Sequence, residues 1–191
     1  MADRTRNWNF ILYPESAPEN WKDVINEHRI EWVCSPLHNM DVTADGEVKK
    51  DHYHITLLYP SHKSYEQVRE LTDSLNSPIP QRCNSVKGSI RYMVHKDDPD
   101  KFQYSWSDIC TYGGVRLEDL IKPSSRERLE IQLKALDYIE ENNVFYFDDL
   151  VKAYKQIGNH EAVDVLMNYS TLSVTAYLKS RLAKYDAMRL N

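Results

Sequence analysis

His52-Tyr53-His54 opens the apolar run Ile55-Thr56-Leu57-Leu58-Tyr59. Residues two apart on a strand point to the same face. The two imidazoles therefore stand side by side, as metal ligands or an acid–base pair would. A hydrogen-bonded or surface pair of histidines is the alternative without chemistry. Upstream, His38 and Asp41 lie three apart on the polar segment that leaves the preceding strand. Sequential strands are usually neighbours, and that pairing would carry His38 and Asp41 to the strand-end histidines. Three imidazoles and one carboxylate suit a borderline divalent cation such as Mn2+ or Zn2+. An all-oxygen Mg2+ or Ca2+ site would be built differently. Cys34, Cys83 and Cys110 lack the close spacing of a structural zinc site, so a bound metal is expected at a catalytic site with an open position.

A second group is Ser89-Ile90-Arg91-Tyr92-Met93-Val94-His95-Lys96. On a helix, Tyr92, His95 and Lys96 share one face and present a phenol, an imidazole and an ammonium together. A phenol with a pKa of about 10 is a poor nucleophile. It needs a nearby cation, a base or a polarised electrophile, and a divalent ion acting on a phosphodiester would supply the last of these. With 13 tyrosines in the chain, the competing reading of Tyr92 is a packed ring with an exposed hydroxyl.

These groups need elements to hold them. Trp8 to Tyr13 reads as a strand ended by Pro14, and Pro18 opens a helix carrying Trp21, Val24, Ile25 and His28. Ile30–Val33 is the second strand, and Asp45-Gly46 is the turn signal before the third, His52–Tyr59, which is expected to stop near Pro60. Ser64-Tyr65-Glu66-Gln67 has capping-box spacing ahead of Val68, Leu71 and Leu75. A short fourth strand is expected over Arg82–Val86. The order predicts an α+β fold, a ferredoxin-like antiparallel sheet backed by helices.

After about residue 120 the pattern becomes helical. Leu129, Leu133, Leu136 and Ile139 recur within 126–140, and further helices are expected over 148–156, near 161–167 and over 171–188. The expected division is a sheet domain over 1–120 and a small all-helical domain over 121–191, joined through the Gly113-Gly114 to Ser125 region.

The formal charge of −5 argues against a general nucleic-acid coat, although the local field of a cleft matters more than the sum. Lys87, Arg91, Lys96 and Lys101 form the densest basic neighbourhood. The charged N-terminus has no signal-peptide pattern, and no run approaches the roughly 18 apolar residues that span a membrane. Three unpaired cysteines suit a reducing cytoplasm.

Three ordered motifs, Ser35-Pro36-Leu37-His38-Asn39-Met40-Asp41, His52-Tyr53-His54 and Tyr92-Met93-Val94-His95, resemble the replication initiators of small rolling-circle plasmids. More narrowly they are similar to the RepB-type family within the histidine–hydrophobic–histidine endonucleases. Phe10-Ile11-Leu12-Tyr13-Pro14-Glu15-Ser16 and Ser107-Asp108-Ile109 also resemble that family, and the likeness covers about residues 7–115. It implies nicking of one strand of the plasmid double-strand origin at an extruded hairpin, with a 5′-phosphotyrosine intermediate and a 3′ hydroxyl that primes synthesis. By motif, it implies His38, Asp41, His52 and His54 as ligands, with Mn2+ favoured and Mg2+, Zn2+ or Co2+ as alternatives, and Tyr92 as the nucleophile. Lys96 would stabilise charge and His95 would orient or relay a proton. The implied partners are single-stranded or hairpin origin DNA with its flanking duplex, contacted through Lys49, Lys50, Arg91 and Lys101, and the host replication machinery. The helical domain would assemble copies, commonly as a hexameric ring. Two other classes remain open: a non-catalytic origin-binding or regulatory protein, and a metal-independent phosphoesterase using His52 and His54 as acid and base.

Overall fold

Strand β1, Arg4–Leu12, buries Trp8, Phe10 and Leu12 on one face and turns Asn7, Asn9 and Ile11 to the other. In the computed structural model, which describes residues 4–43 and 45–189, four more strands join it: β2 (Glu31–Cys34), β3 (Tyr53–Ser64), β4 (Gln81–Arg82) and β5 (Cys110–Tyr112). The sheet order is β4-β1-β3-β2-β5, with every neighbouring pair antiparallel. The first four strands have the ferredoxin-like order, and β5 extends the β2 edge. Met1-Ala2-Asp3, part of the charged start read above, lies outside the described residues.

The register decides which side chains share the working face. Ile11 lies opposite His54, Asn9 opposite Thr56 and Val33 opposite Thr56 on the other side. The reverse face carries Trp8, Phe10, Leu12, Trp32, Ile55 and Leu57. It is covered by α1 (Trp21–Glu27) through Trp21 and Ile25 and by α2 (Tyr65–Ser74) through Val68 and Leu71. Each fully buried aliphatic chain there contributes about 1.5–3 kcal/mol. The indole of Trp32 stacks on Tyr112 with centroids 3.9 Å apart. On the working face, α3 (Val86–Tyr92) and α4 (Leu117–Ile121) cover only the part near Val33 and Leu58, through Ile90, Met93, Val94, Leu117 and Leu120. The remainder stays available to a ligand.

Ser64 and Gln67 form the expected reciprocal capping box at the start of α2. Several expectations fail for identifiable reasons. β3 does not stop at Pro60 but runs on to Ser64, because the β1–β3 register shifts between Thr5 and Asn7. A bulge needs no ladder donor from proline. The fourth strand ends at Arg82, since the Ser85 side chain accepts from Gly88 N–H and caps α3, so Val86 begins the helix. The Gly113-Gly114 end of the expected connecting region belongs to the first compact unit. Gly113, at φ +72, sits so close to the Ile30 carbonyl that a Cβ would collide with main chain, and Val115, Leu117, Leu120 and Ile121 then pack on the α3 core.

The chain divides into two compact units between Lys122 and Pro123. The second contains α5 (Ser125–Glu141), α6 (Phe147–Gln156), α7 (His160–Asn168) and α8 (Thr171–Arg189) around Ala135, Ile139, Leu150, Tyr154, Leu166 and Val174. A Ser124–Glu127 capping box starts α5. Its buried stripe passes through Ala135 and Ile139, so Leu129 and Leu133 are about half exposed, contrary to the stripe expected from leucine spacing alone.

Candidate metal centre and nucleophile

The β2–β3 ladder continues beyond Cys34 as an isolated bridge between His38 and His52, with His38 N–H donating to His52 O at 2.9 Å. The Ser35 hydroxyl oxygen accepts from His54 N–H at 2.9 Å and fixes the adjacent turn of chain. His38, His52 and His54 are thereby brought within ligand reach of one another. Asp41 follows on the same excursion, and its Oδ2 lies 3.3 Å from His38 Nδ1 and 3.9 Å from His52 Nε2. The fold thus brings His38, His52 and the half-buried His54 together as one group, with Asp41 beside His38 and His52.

Two residues absent from the expected ligand set pack against these side chains. His95, expected above to orient or relay a proton, is buried with Nε2 at 3.7 Å from Asp41 Oδ2, forming a second triad with His38 and Asp41. Tyr104 stacks on His38 with centroids 4.2 Å apart, and its hydroxyl donates to Asp41 Oδ1 at 3.0 Å while accepting from Met40 N–H. Nothing local marks Tyr104, since it meets Asp41 across 63 residues of chain.

Proton bookkeeping shows what the cluster suits. A carbonyl can only accept, so His38 Nε2 donates to Met93 O at 2.8 Å and His52 Nδ1 donates to Lys50 O at 2.8 Å. In the neutral rings, the remaining nitrogens turn lone pairs toward the Asp41 carboxylate. Acceptors facing acceptors call for a cation among them, and a ring N–H held by a carbonyl is the usual support of a metal-ligating histidine. His54 Nε2 is buried with no hydrogen-bond partner among the described residues and lies within reach of His38 and His52 as a candidate ligand atom. The mixed nitrogen and oxygen set fits a divalent cation.

Charge follows burial. Desolvation pushes His54 down to about 3, reinforced by His38 and His52, and it also lowers His38 against the pull of Met93 O and Asp41. Burial works against charge on Asp41, but His38, the Tyr104 hydroxyl and His95 together outweigh it and hold the carboxyl below its ordinary range. Lowered His38 and His54 beside a carboxyl held charged favour the protonation states that ligands require.

Tyr92 ends α3 beside this cluster, its ring 5.2 Å from that of His54 and 5.6 Å from that of His95, with 44% of its surface exposed. The helical face expected for Tyr92, His95 and Lys96 does not exist, because the chain leaves the helix after Tyr92 and His95 takes φ +55. The cation over the Tyr92 ring is Lys101 Nζ, 5.0 Å from its centroid and tethered to Asp98 at 2.6 Å. Of the other expected phosphate contacts, Lys50 pairs with Glu15 at 3.2 Å and Arg91 with Asp97. A cavity of about 570 Å3, bounded by Asn9, Ile11, His54, Arg82, Ser89 and Tyr92, opens along the uncovered part of the sheet. No described helix is long and apolar enough to cross a membrane.

Residues 1–118 match the family described as plasmid replication protein, origin binding domain. The chain is 39% identical over 183 residues to a replication protein of Staphylococcus aureus, covering 96% of this chain and 92% of that one. It is 40% identical over 191 residues to the replication protein RepB of Lactiplantibacillus plantarum, covering 98% and 87%. A replication protein RepB of Streptococcus agalactiae is 23% identical over 139 residues, with 68% and 66% covered.

Proposed function

The chain belongs to the family of plasmid replication proteins defined by their origin binding domain, and on that membership we propose that it nicks one strand of a plasmid double-strand origin to start rolling-circle replication. The observation that carries this reading is the exposed Tyr92 phenol standing edge-on to His54 at the mouth of a buried His/Asp cluster. His38, Asp41, His52 and His54 would hold a divalent ion, for which Mn2+ is favoured. When bound, the ion supplies Lewis-acid polarisation of a phosphoryl oxygen.

The chain's own residues would do the rest. The cavity beside Tyr92 takes a single strand, and Asn9 holds α3 to the sheet by donating to Ser89 Oγ at 2.8 Å while accepting from Thr56 at 2.9 Å. That linkage sets Tyr92 one helical turn from a fixed point. The Tyr92 oxygen attacks phosphorus in line, forms the phosphotyrosine bond and displaces the 3′ oxygen. The phenol proton leaves to solvent and the 3′ oxygen takes one up. One phosphodiester replaces another, so the 3′ hydroxyl can reverse the step without a nucleotide cofactor. Lys101 would reduce the cost of negative charge on the phenol and the phosphate.

The helical unit is proposed to assemble copies of the chain, a role supported by the half-exposed Leu129 and Leu133 one turn apart on α5 and by Leu172 at 89% exposure. The test is incubation with labelled single-stranded oligonucleotides from the plasmid's origin, with and without Mn2+, followed by a denaturing gel. A Mn2+-dependent band of covalent protein–DNA adduct is expected. Sequence-specific duplex binding without cleavage would instead support a non-catalytic origin-binding protein.

A further inference from the structure

The chain leaves α3 through a Schellman turn. Lys96 N–H donates to Arg91 O and His95 N–H to Tyr92 O, each at 3.0 Å, so His95 occupies the left-handed position that such turns normally give to glycine or asparagine. A β-carbon at that position strains the backbone, and an imidazole kept there in spite of it points to a use for the ring.

The ring is aimed and its proton located. Nδ1 donates to Phe102 O at 2.8 Å, which leaves the lone pair of the neutral ring on Nε2. That Nε2 is buried, makes no hydrogen bond, and faces the Asp41 carboxylate at 3.7 Å. His38 and His52 face the same oxygen atom under the same kind of carbonyl support, at 3.3 and 3.9 Å. Ligand atoms around one ion with bonds of about 2.1 Å lie about 3.0–3.5 Å apart, so the His95 separation needs only a small inward movement.

We propose that His95 is a metal ligand, sharing the ion with His38 and Asp41. It rests on the reading that this cluster binds a divalent cation, and it adds a fourth imidazole to the site. One consequence concerns the nucleophile. His95 and Tyr92 lie on one turn of chain, so a bound ion would anchor the end of α3 directly, and metal loading would order the phenol.

Ligation can be read without activity. The full chain, labelled with 15N in its histidine rings and loaded with 113Cd2+, should show one-bond 15N–113Cd splitting at His95 Nε2 as well as at His38. Splitting at other histidines but not at His95 overturns the proposal while leaving the metal site intact. No splitting at any ring overturns both this proposal and the metal reading it rests on. As a second measurement, His95→Asn keeps a residue that tolerates the left-handed turn, so the metal-free variant should remain folded by circular dichroism while Mn2+ affinity by calorimetry falls at least about 10-fold. Unchanged Mn2+ affinity in that folded variant would overturn the proposal equally.

Discussion

His38 Nε2 donates to the main-chain carbonyl of Met93 at 2.8 Å, so one imidazole belongs both to the buried cluster and to the end of the helix that carries Tyr92. Helix-end carbonyls lack intrahelical partners, and Met93 is itself almost fully buried. His38→Ala should therefore damage the metal-free protein as well as the ion site. It leaves that carbonyl without its donor and a void beneath Tyr104, and a loss of about 2–4 kcal/mol is expected in urea unfolding with chelator present. His52→Ala removes a ring whose one donated hydrogen bond goes to the Lys50 carbonyl, at the edge of an exposed segment, and should cost clearly less. Equal losses would show that the Met93 link contributes nothing.

Tyr92→Phe removes the hydroxyl of a half-exposed residue, which makes no hydrogen bond among the described residues. Stability should change by no more than about 0.5 kcal/mol, and Mn2+ affinity should stay the same. The covalent adduct should vanish. A 5′-phosphotyrosyl product from this variant, seen on a denaturing gel, would move the nucleophile to another residue.

Lys101→Met keeps the aliphatic stem over the Tyr92 ring and deletes the charge 5.0 Å from its centroid. Nicking under single-turnover conditions should slow by roughly 3- to 30-fold, as expected for loss of a cation worth about 0.5–2 kcal/mol near an aromatic ring. Mn2+ binding should be unaltered, since Lys101 faces the phenol and Asp98. A variant with the parental rate would relegate Lys101 to general attraction of the strand.

Sequence periodicity reached those parts of the molecule that are locally encoded. Alternation in β3 puts His52 and His54 on one face, and strand adjacency brings His38 and Asp41 to them. The Ser64–Gln67 cap and the four helices after residue 123 are likewise written in short-range spacing. What escaped depends on distant partners. β5 has three residues and exists because Trp32 offers a stacking surface to Tyr112. Tyr104 is indistinguishable from twelve other tyrosines until the fold seats it on His38. The role of His95 turns on a left-handed dihedral, for which a histidine code carries almost no signal. Leu129 and Leu133 show the reverse failure, being helical in spacing but off the stripe that packing selects.

The metal-free cluster should make stability depend on acidity with a definite sign. An imidazole in the unfolded chain titrates at about 6.5, whereas burial, with His38, His52 and His95 facing it and only Asp41 opposing, pushes His54 down to about 3. Between those values the unfolded chain holds a proton that the folded protein does not, so stability rises with pH across that window and levels off above it. The slope from this one ring is at most about 1.4 kcal/mol per pH unit. The lowered His38 acts in the same direction, and the depressed Asp41 adds stability that is lost only at the acid end of the range. Urea unfolding with chelator from pH 4 to pH 8 should show this profile, and His54→Asn should flatten it by about one proton. An unchanged slope would mean that the ring is charged or solvated in the folded state. If the slope does flatten, ion binding at neutral pH need displace no proton from His54, and Mn2+ affinity should owe little of its pH dependence there to this ligand.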